Sequence, residues 1–171
     1  GGVAEVTLNR PENRNSMTED VFSGLRDALE RIRKDREVRC VILTGVGRSF
    51  CAGADFKSGV QRDGSDPERY LAPNDRSMAM YEPFLGILKI EVPVIAAMQG
   101  HAVGGGLGLG LVCDIRVANQ EARYGANFTR LGLHPGMATT YFLPRLVGIA
   151  RAADILLTGR KFTGQEAVEL G

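Results

Sequence analysis

The chain has 171 residues, of which 44% are hydrophobic and 24% charged, a balance typical of a globular domain that buries a core. Its 21 lysines and arginines against 20 aspartates and glutamates leave a formal net charge of +1, which argues against nucleic acid as a partner. No apolar run approaches the ~20 residues of a membrane span, and no signal peptide is visible at the N-terminus. Composition therefore predicts one globular domain over residues 1–171 that has no membrane partner.

The first part of the chain predicts a strand, a helix and a second strand. Residues Val3–Leu8 alternate between apolar and polar side chains, which is typical of a strand. Ser16 followed by Glu19 predicts a capping box, and apolar residues then recur at helical spacing to about Lys34. The apolar run 38–45 ends in glycine and predicts a buried parallel strand.

The rest of the chain continues the alternation of strands and helices. Residues 59–74 are polar and predict a loop, and a helical pattern over about 77–90 contains Pro83, which should start, kink or split the helix. Further strands are predicted at 93–100, 113–118 and 122–126, and further helices at 149–159 and after the capping pair Thr163 and Glu166. The order predicts an α/β layered fold with right-handed crossovers.

The three cysteines are Cys40, Cys51 and Cys113, and their number and spacing fit neither a disulfide framework nor a CxxC motif. They predict reduced, buried thiols in a cytoplasmic compartment. Cys51 has no basic neighbour in sequence that would lower its pKa, so we expect it to pack and not to act as a nucleophile.

Residues 100–110, GHAVGGGLGLG, contain six glycines in eleven residues. No G-x-G-x-x-G or G-x-x-x-x-G-K-[ST] can be completed, which argues against a nucleotide-binding domain, and a G-x-S-x-G nucleophile elbow is absent. A turn that opens a helix instead offers N–H groups without intrahelical partners, and these can stabilise negative charge on a nearby oxygen. A second strand-to-turn junction, RSFCAGADF at 48–56, predicts the other donor of such an oxyanion hole.

RSFCAGADF and the later PVIAAMQGHAVGGGLGLGLVCDIRVA together resemble the crotonase, or enoyl-CoA hydratase/isomerase, superfamily. The opening VTLNRPENRNSM and the closing LPRLVG and LTGRKFTGQEAVELG are similar to it as well, so the resemblance covers essentially the whole chain. It implies a crotonase-like α/β fold of repeated β-β-α units, with the family's C-terminal helical region largely missing from this chain. It also implies an acyl-CoA substrate of fatty acid metabolism, no cofactor other than that coenzyme A, and homotrimers or dimers of trimers.

The resemblance assigns the oxyanion hole to the backbone N–H groups of Ala54 and Gly105. For Arg14 and Lys57, solvated surface cations are an equally good interpretation. The substrate and coenzyme A contacts that the resemblance implies are Arg14, Ser16, Ala52, Asp55, Phe56, Lys57, Gly104, Gly108, Phe128 and Leu131.

Two positions depart from the family pattern. Hydratases of the family use two glutamates, and Gly108 and Phe128 stand at the matching positions here. Neither transfers a proton, and because an acid–base step contributes about 10² to 10⁴ in rate, ordinary hydration should be severely weakened. We also expect an apolar acyl pocket with spare room at Gly108, suited to a bulky or aromatic acyl group.

Other ionisable residues offer partial replacements. His134 is the candidate for proton transfer, with a backbone-capping role in the turn at Pro135 as the alternative. His101 is expected to pack beside the site, and Asp114 to pair with backbone or with Arg116. The loop acids are expected to be solvated; they are Asp63, Asp66 and Asp75.

The sequence thus predicts an enzyme of enoyl-CoA hydratase or isomerase type that stabilises a thioester enolate. The alternative is a non-catalytic acyl-CoA-binding or assembly subunit with the same fold.

Overall fold

The computed structural model of the chain describes residues 1–54 and 81–171. Residues 81–85 are helical and lead into a 3-10 turn at Gly86–Lys89. The other elements, in chain order, are β1 (Val3–Leu8), α1 (Glu19–Lys34), β2 (Cys40–Gly45), β3 (Ser49–Cys51), β4 (Val94–Met98), β5 (His101–Val103), α2 (Gly105–Leu111), β6 (Ile115–Ala118), β7 (Arg123–Gly125), α3 (Thr139–Val147), α4 (Ile149–Thr158), β8 (Lys161–Thr163) and α5 (Gly164–Leu170).

The strands form two sheets, and from β2 to β7 consecutive strands alternate between them. The first sheet has the order β1-β2-β4-β6 and is parallel throughout. The second has the order β3-β5-β7-β8, in which β8 is antiparallel to β7. The pairs β2-β3, β4-β5 and β6-β7 therefore each give one strand to each sheet, which confirms the predicted α/β fold of repeated β-β-α units.

This topology determines where the site lies. Because β3 and β5 are parallel neighbours, the residues that follow them, 52–54 and 104–105, leave the sheet at the same edge. Helix α2 starts at that edge and is buried over its whole length. The core around it contains the largest fully buried side chains, among them Phe50, Phe84, Leu109 and Tyr124.

Some predicted details are wrong. The cap of α1 is Thr18 and not Ser16, whose hydroxyl donates to the Asn13 carbonyl (2.6 Å). The helix cannot begin earlier because the Met17 N–H donates to the Gly53 carbonyl (2.8 Å), which keeps residue 17 in a β-bridge to Ala54. The capping pair at α5 is confirmed, since the Glu166 N–H donates to Thr163 Oγ1 (3.1 Å).

Candidate functional site

The ends of β3 and β5 meet at two glycines. Gly53 has φ +86°, and a β-carbon there would lie 2.7 Å from the Val103 carbonyl oxygen and 3.1 Å from the Gly105 nitrogen. A β-carbon at Gly105 would in turn lie 3.8 Å from Gly53 Cα. Gly53, the residue that precedes Ala54, therefore lies in contact with Gly105.

The N–H groups of Ala54 and Gly105 make no hydrogen bond within the described part of the chain. The neighbouring amides are engaged: the Ala52 N–H donates to the Arg14 carbonyl (3.1 Å), and the Gly104 N–H to that of Gly125 (2.8 Å). No acceptor among residues 1–54 and 81–171 takes the N–H of Ala54 or Gly105. Gly105 is the first residue of α2, where such a donor has no intrahelical partner.

Gly106 explains how α2 comes so close to β3. A β-carbon at this position would overlap the Cys51 carbonyl oxygen, so only glycine allows the helix to reach the strand. Cys51 itself is fully buried, and burial raises the pKa of its thiol to about 12. A thiol with so high a pKa stays protonated, so Cys51 packs in the core and does not act as a nucleophile.

The expected spare room at Gly108 is not there. A β-carbon at Gly108 would lie 2.7 Å from Met137 Cβ and 2.8 Å from the Met137 carbonyl oxygen. Met137 Cγ also lies 3.2 Å from the β-carbon position of Gly105. Met137 occupies the space next to Gly108, so the prediction of a larger acyl pocket is wrong at this position.

Phe128 lies beside Gly104, together with the polar side chain of Asn127. Its Cζ lies 3.9 Å from the β-carbon position of Gly104, and Asn127 Oδ1 lies 3.2 Å from the same position. Phe128 is half-buried against the core. The corner next to the proposed oxyanion hole is thus an aromatic ring and a carboxamide, with no carboxylate at the two family positions.

Sequence reasoning missed Tyr81, which the fold brings to this corner. Its Oη accepts a hydrogen bond from the Met137 N–H (2.7 Å) and lies 3.0 Å from the β-carbon position of Gly136. Phe128 Cε1 lies 3.5 Å from that same position. No sequence signal marks Tyr81, because it lies 56 residues from Met137 in the chain.

The turn that carries Arg14 and Ser16 is anchored by Asn15. The Asn15 side chain is fully buried, accepts from the Arg10 N–H (2.8 Å) and donates to the carbonyls of Val46 (3.0 Å) and Ser49 (2.8 Å). Arg14 and Asn15 both have left-handed backbone conformations, with φ 60° and 54°. Arg14 is exposed and Ser16 half-buried.

A basic cavity of about 630 Å³ opens next to this turn. Arg14 and Ala52 line it, so two predicted coenzyme A contacts share one cavity. Its other charged or titratable lining residues are Glu12, Arg48, His101, Arg123 and Lys161. The lining therefore has an excess of positive charge, which suits phosphate oxygens.

The remaining predicted residues have varied outcomes. His134 and Leu131 are exposed, and no described hydrogen bond engages the His134 side chain, so its proposed role stays a prediction. His101 Nδ1 accepts from the Arg123 N–H (2.9 Å), and Asp114 Oδ2 accepts from the Val94 N–H (2.8 Å), the expected backbone pairing. Predictions that lie outside the described residues concern Asp55, Phe56, Lys57, Asp63, Asp66 and Asp75.

Across residues 1–54 and 81–171, no group of three or more His, Cys, Asp or Glu side chains is arranged to hold a metal ion. Within the same ranges, no helix is both long and apolar enough to cross a membrane.

Comparison with known proteins agrees with the fold and the glycine motifs. The family model described as enoyl-CoA hydratase/isomerase matches residues 1–171. A probable enoyl-CoA hydratase of Mycobacterium tuberculosis is 41% identical over 171 residues, covering 99% of this chain and 64% of the relative. The bovine mitochondrial enoyl-CoA hydratase domain-containing protein 2 is 43% identical, covering 99% of this chain and 56% of that protein.

A solved structure gives the same result. The crystal structure of an enoyl-CoA hydratase from Bacillus anthracis superposes with a TM-score of 0.88 at 37% identity, covering 99% of this chain and 64% of that one. The chain belongs to the enoyl-CoA hydratase/isomerase family, the crotonase superfamily. It spans about 64% of the length of the first relatives that it matches.

Proposed function

We propose that the protein carrying this chain binds acyl-CoA thioesters and stabilises the enolate form of the thioester with the N–H groups of Ala54 and Gly105. The observation that supports this most strongly is the contact of Gly105 with Gly53, the residue that precedes Ala54 in the chain. Two preorganised donors favour the negative charge that develops on a thioester oxygen in the transition state. Family membership supplies the substrate class.

The coenzyme A arm is proposed to lie along the turn of Arg14 and Ser16 and past Ala52. The basic cavity that Arg14 and Ala52 share offers charge that suits the nucleotide phosphates. Asp55, Phe56 and Lys57 are proposed as further contacts of this arm. Gly104, Gly108, Phe128 and Leu131 are proposed to border the acyl end.

The two missing glutamates affect the expected reaction and leave the proposed substrate class unchanged. With Gly108 and Phe128 at the two glutamate positions, a water molecule lacks the family's usual base and acid, so we expect slow hydration. His134 is retained as the proposed proton-transfer residue. A specific observation favours the second candidate, a non-catalytic acyl-CoA-binding or assembly subunit: neither family position carries an ionisable side chain.

Binding and turnover of one set of ligands distinguish these functions. Calorimetric titration with butyryl-CoA and crotonyl-CoA should give saturable binding, and crotonyl-CoA should be turned over slowly if the protein is an enzyme. Binding without turnover of crotonyl-CoA or of a panel of other thioesters would select the non-catalytic subunit. Absence of binding, in a sample whose circular dichroism shows a folded α/β protein, would contradict both functions.

Several properties implied by the resemblance stay predictions. We propose a homotrimer or a dimer of trimers, which analytical ultracentrifugation would show as three or six protomer masses. We also propose that no cofactor is needed beyond the coenzyme A of the substrate. A cytoplasmic location remains a proposal that cell fractionation tests, and the bovine relative is named mitochondrial.

A further inference from the structure

The acyl corner keeps a hydroxyl group where the family's carboxylates are missing. Tyr81 Oη accepts from the Met137 N–H at 2.7 Å, and as an acceptor the hydroxyl retains its own proton. No described residue accepts that proton in a hydrogen bond. A phenolic O–H that is already fixed on its acceptor side can still donate to a ligand.

Contacts through Gly136 and Met137 place this hydroxyl near the proposed oxyanion hole. The β-carbon position of Gly136 is bordered by Tyr81 Oη at 3.0 Å and by Phe128 Cε1 at 3.5 Å. Met137, whose N–H holds the hydroxyl, contacts the β-carbon positions of Gly105 and Gly108 through its side chain. One residue therefore separates the Tyr81 hydroxyl from a proposed thioester-binding amide.

The Tyr81 ring is held in place by its neighbours. It packs edge-on against Phe84, with 6.3 Å between ring centroids and an interplanar angle of 90°. Phe84 is fully buried. Because ring and oxygen are both fixed, little conformational entropy is lost when the hydroxyl binds a ligand.

We propose that Tyr81 is a specificity-determining residue, whose hydroxyl donates a hydrogen bond to an oxygen that the acyl chain carries beyond the thioester carbonyl. The preferred ligands are then 3-hydroxyacyl or 3-oxoacyl thioesters over saturated ones. This rests on the proposed function, which places the thioester carbonyl at Ala54 and Gly105, beside the contacts that Met137 makes with Gly105 and Phe128 with Gly104. The polar competitor at this corner is the Asn127 carboxamide.

The test compares 3-hydroxybutyryl-CoA with butyryl-CoA, which differ by one hydroxyl, by calorimetric titration. We expect the hydroxylated ligand to bind the wild-type protein about 3- to 10-fold more tightly, the range of one net hydrogen bond. In Tyr81→Phe this preference should disappear while the Kd of butyryl-CoA changes less than twofold. Tyr141→Phe, which alters an exposed tyrosine on α3, should retain the wild-type preference.

The other outcomes overturn either the role of Tyr81 or the proposed function as a whole. A wild-type protein without the preference, or a Tyr81→Phe protein that keeps it, overturns the inference, as does a preference that disappears in Asn127→Ala alone. If Tyr81→Phe weakens both ligands equally and lowers Tm, the hydroxyl only supports the Met137 turn, and the inference is wrong. If neither ligand binds the wild-type protein, the proposed function itself fails, whereas binding without preference overturns only the role of Tyr81.

Discussion

At the scale of single residues, one of the two N–H groups on which the proposed chemistry depends, that of Gly105, can be removed by a proline substitution. Gly105 is the first residue of α2, a position at which proline is tolerated in helices. Gly105→Pro removes the donor, whereas Gly105→Ala adds a similar β-carbon and keeps the N–H.

We therefore expect Gly105→Pro to lower kcat about 10²- to 10³-fold, the effect of losing one oxyanion donor. Gly105→Ala should lose far less, because the two atoms nearest its β-carbon, Met137 Cγ and Met17 Sδ at 3.2 Å each, belong to methionine side chains that can shift. Steady-state kinetics on both variants, with thermal melts to verify folding, measures the difference. Equal loss in the two variants would show that packing, and not the amide, matters at Gly105.

A second glycine of the same motif has a structural role. In Gly106→Ala the new methyl group would overlap the Cys51 carbonyl, which is backbone and cannot move aside. We expect the free energy of unfolding to fall by about 3 kcal/mol or more, as in overpacked cores. Urea denaturation measures this. The control is Gly24→Ala, on the exposed side of α1 with no atom within 4 Å of the new β-carbon, which should raise the free energy of unfolding by about 1 kcal/mol. A Gly106→Ala protein as stable as the wild type would contradict the close contact with Cys51.

The glycine positions were predictable because a glycine-rich motif is visible in the sequence itself. Tyr81 and Asn127 were missed because only the folding of the chain brings them next to the glycines. Sequence reasoning misjudged Gly108. A missing side chain suggests empty space, but the left-handed residue Met137, with φ 52°, brings its backbone into that space.

At the scale of elements, the turn between β1 and α1 is held to the start of β3 by one buried side chain. Asn15 makes three hydrogen bonds to backbone groups of Arg10, Val46 and Ser49. Asn15→Ala leaves these groups without partners, so we expect a loss of about 3 kcal/mol in the free energy of unfolding.

The same variant should weaken coenzyme A binding, because Asn15 lies between Arg14 and Ser16. Asn9→Ala, an exposed change just before the turn, should alter stability by less than about 0.5 kcal/mol. Urea denaturation and titration with coenzyme A measure both effects. An Asn15→Ala protein as stable as Asn9→Ala would contradict the anchoring role.

Elements with a clear sequence period were predictable, and several others were not. The alternation of β1 and the helical spacing of α1 each extend over enough residues to show a period. Strands β3, β5 and β8 have three residues each, too few for any period, and α3 contains Pro144 in its interior. The second sheet, which positions Ala54 and Gly105, was therefore reached through the motifs and not through periodicity.

At the scale of the whole molecule, two buried thiols make stability depend on pH. Burial raises the pKa of both Cys51 and Cys113 from 9.0 to about 12. Above about pH 9 the unfolded chain loses these protons while the folded protein keeps them, so folding stability falls as the pH rises from about 9 to about 12.

The expected slope is about 1.4 kcal/mol per pH unit for each thiol. Urea denaturation between pH 8 and pH 10.5 measures it, and Cys113→Ala should show a smaller decline than the wild type. Cys40→Ala, at a half-buried thiol, serves as the matched control. An identical slope in Cys113→Ala and the wild type would show that Cys113 does not stay protonated in the folded protein.

The central claim, that two amides from separate β-β-α units bind one thioester oxygen, is tested most directly by a crystal structure with bound butyryl-CoA. We predict that the thioester oxygen lies about 2.7–3.1 Å from both the Ala54 and the Gly105 nitrogen. A bound ligand whose thioester oxygen contacts neither nitrogen, or only one, would contradict the account.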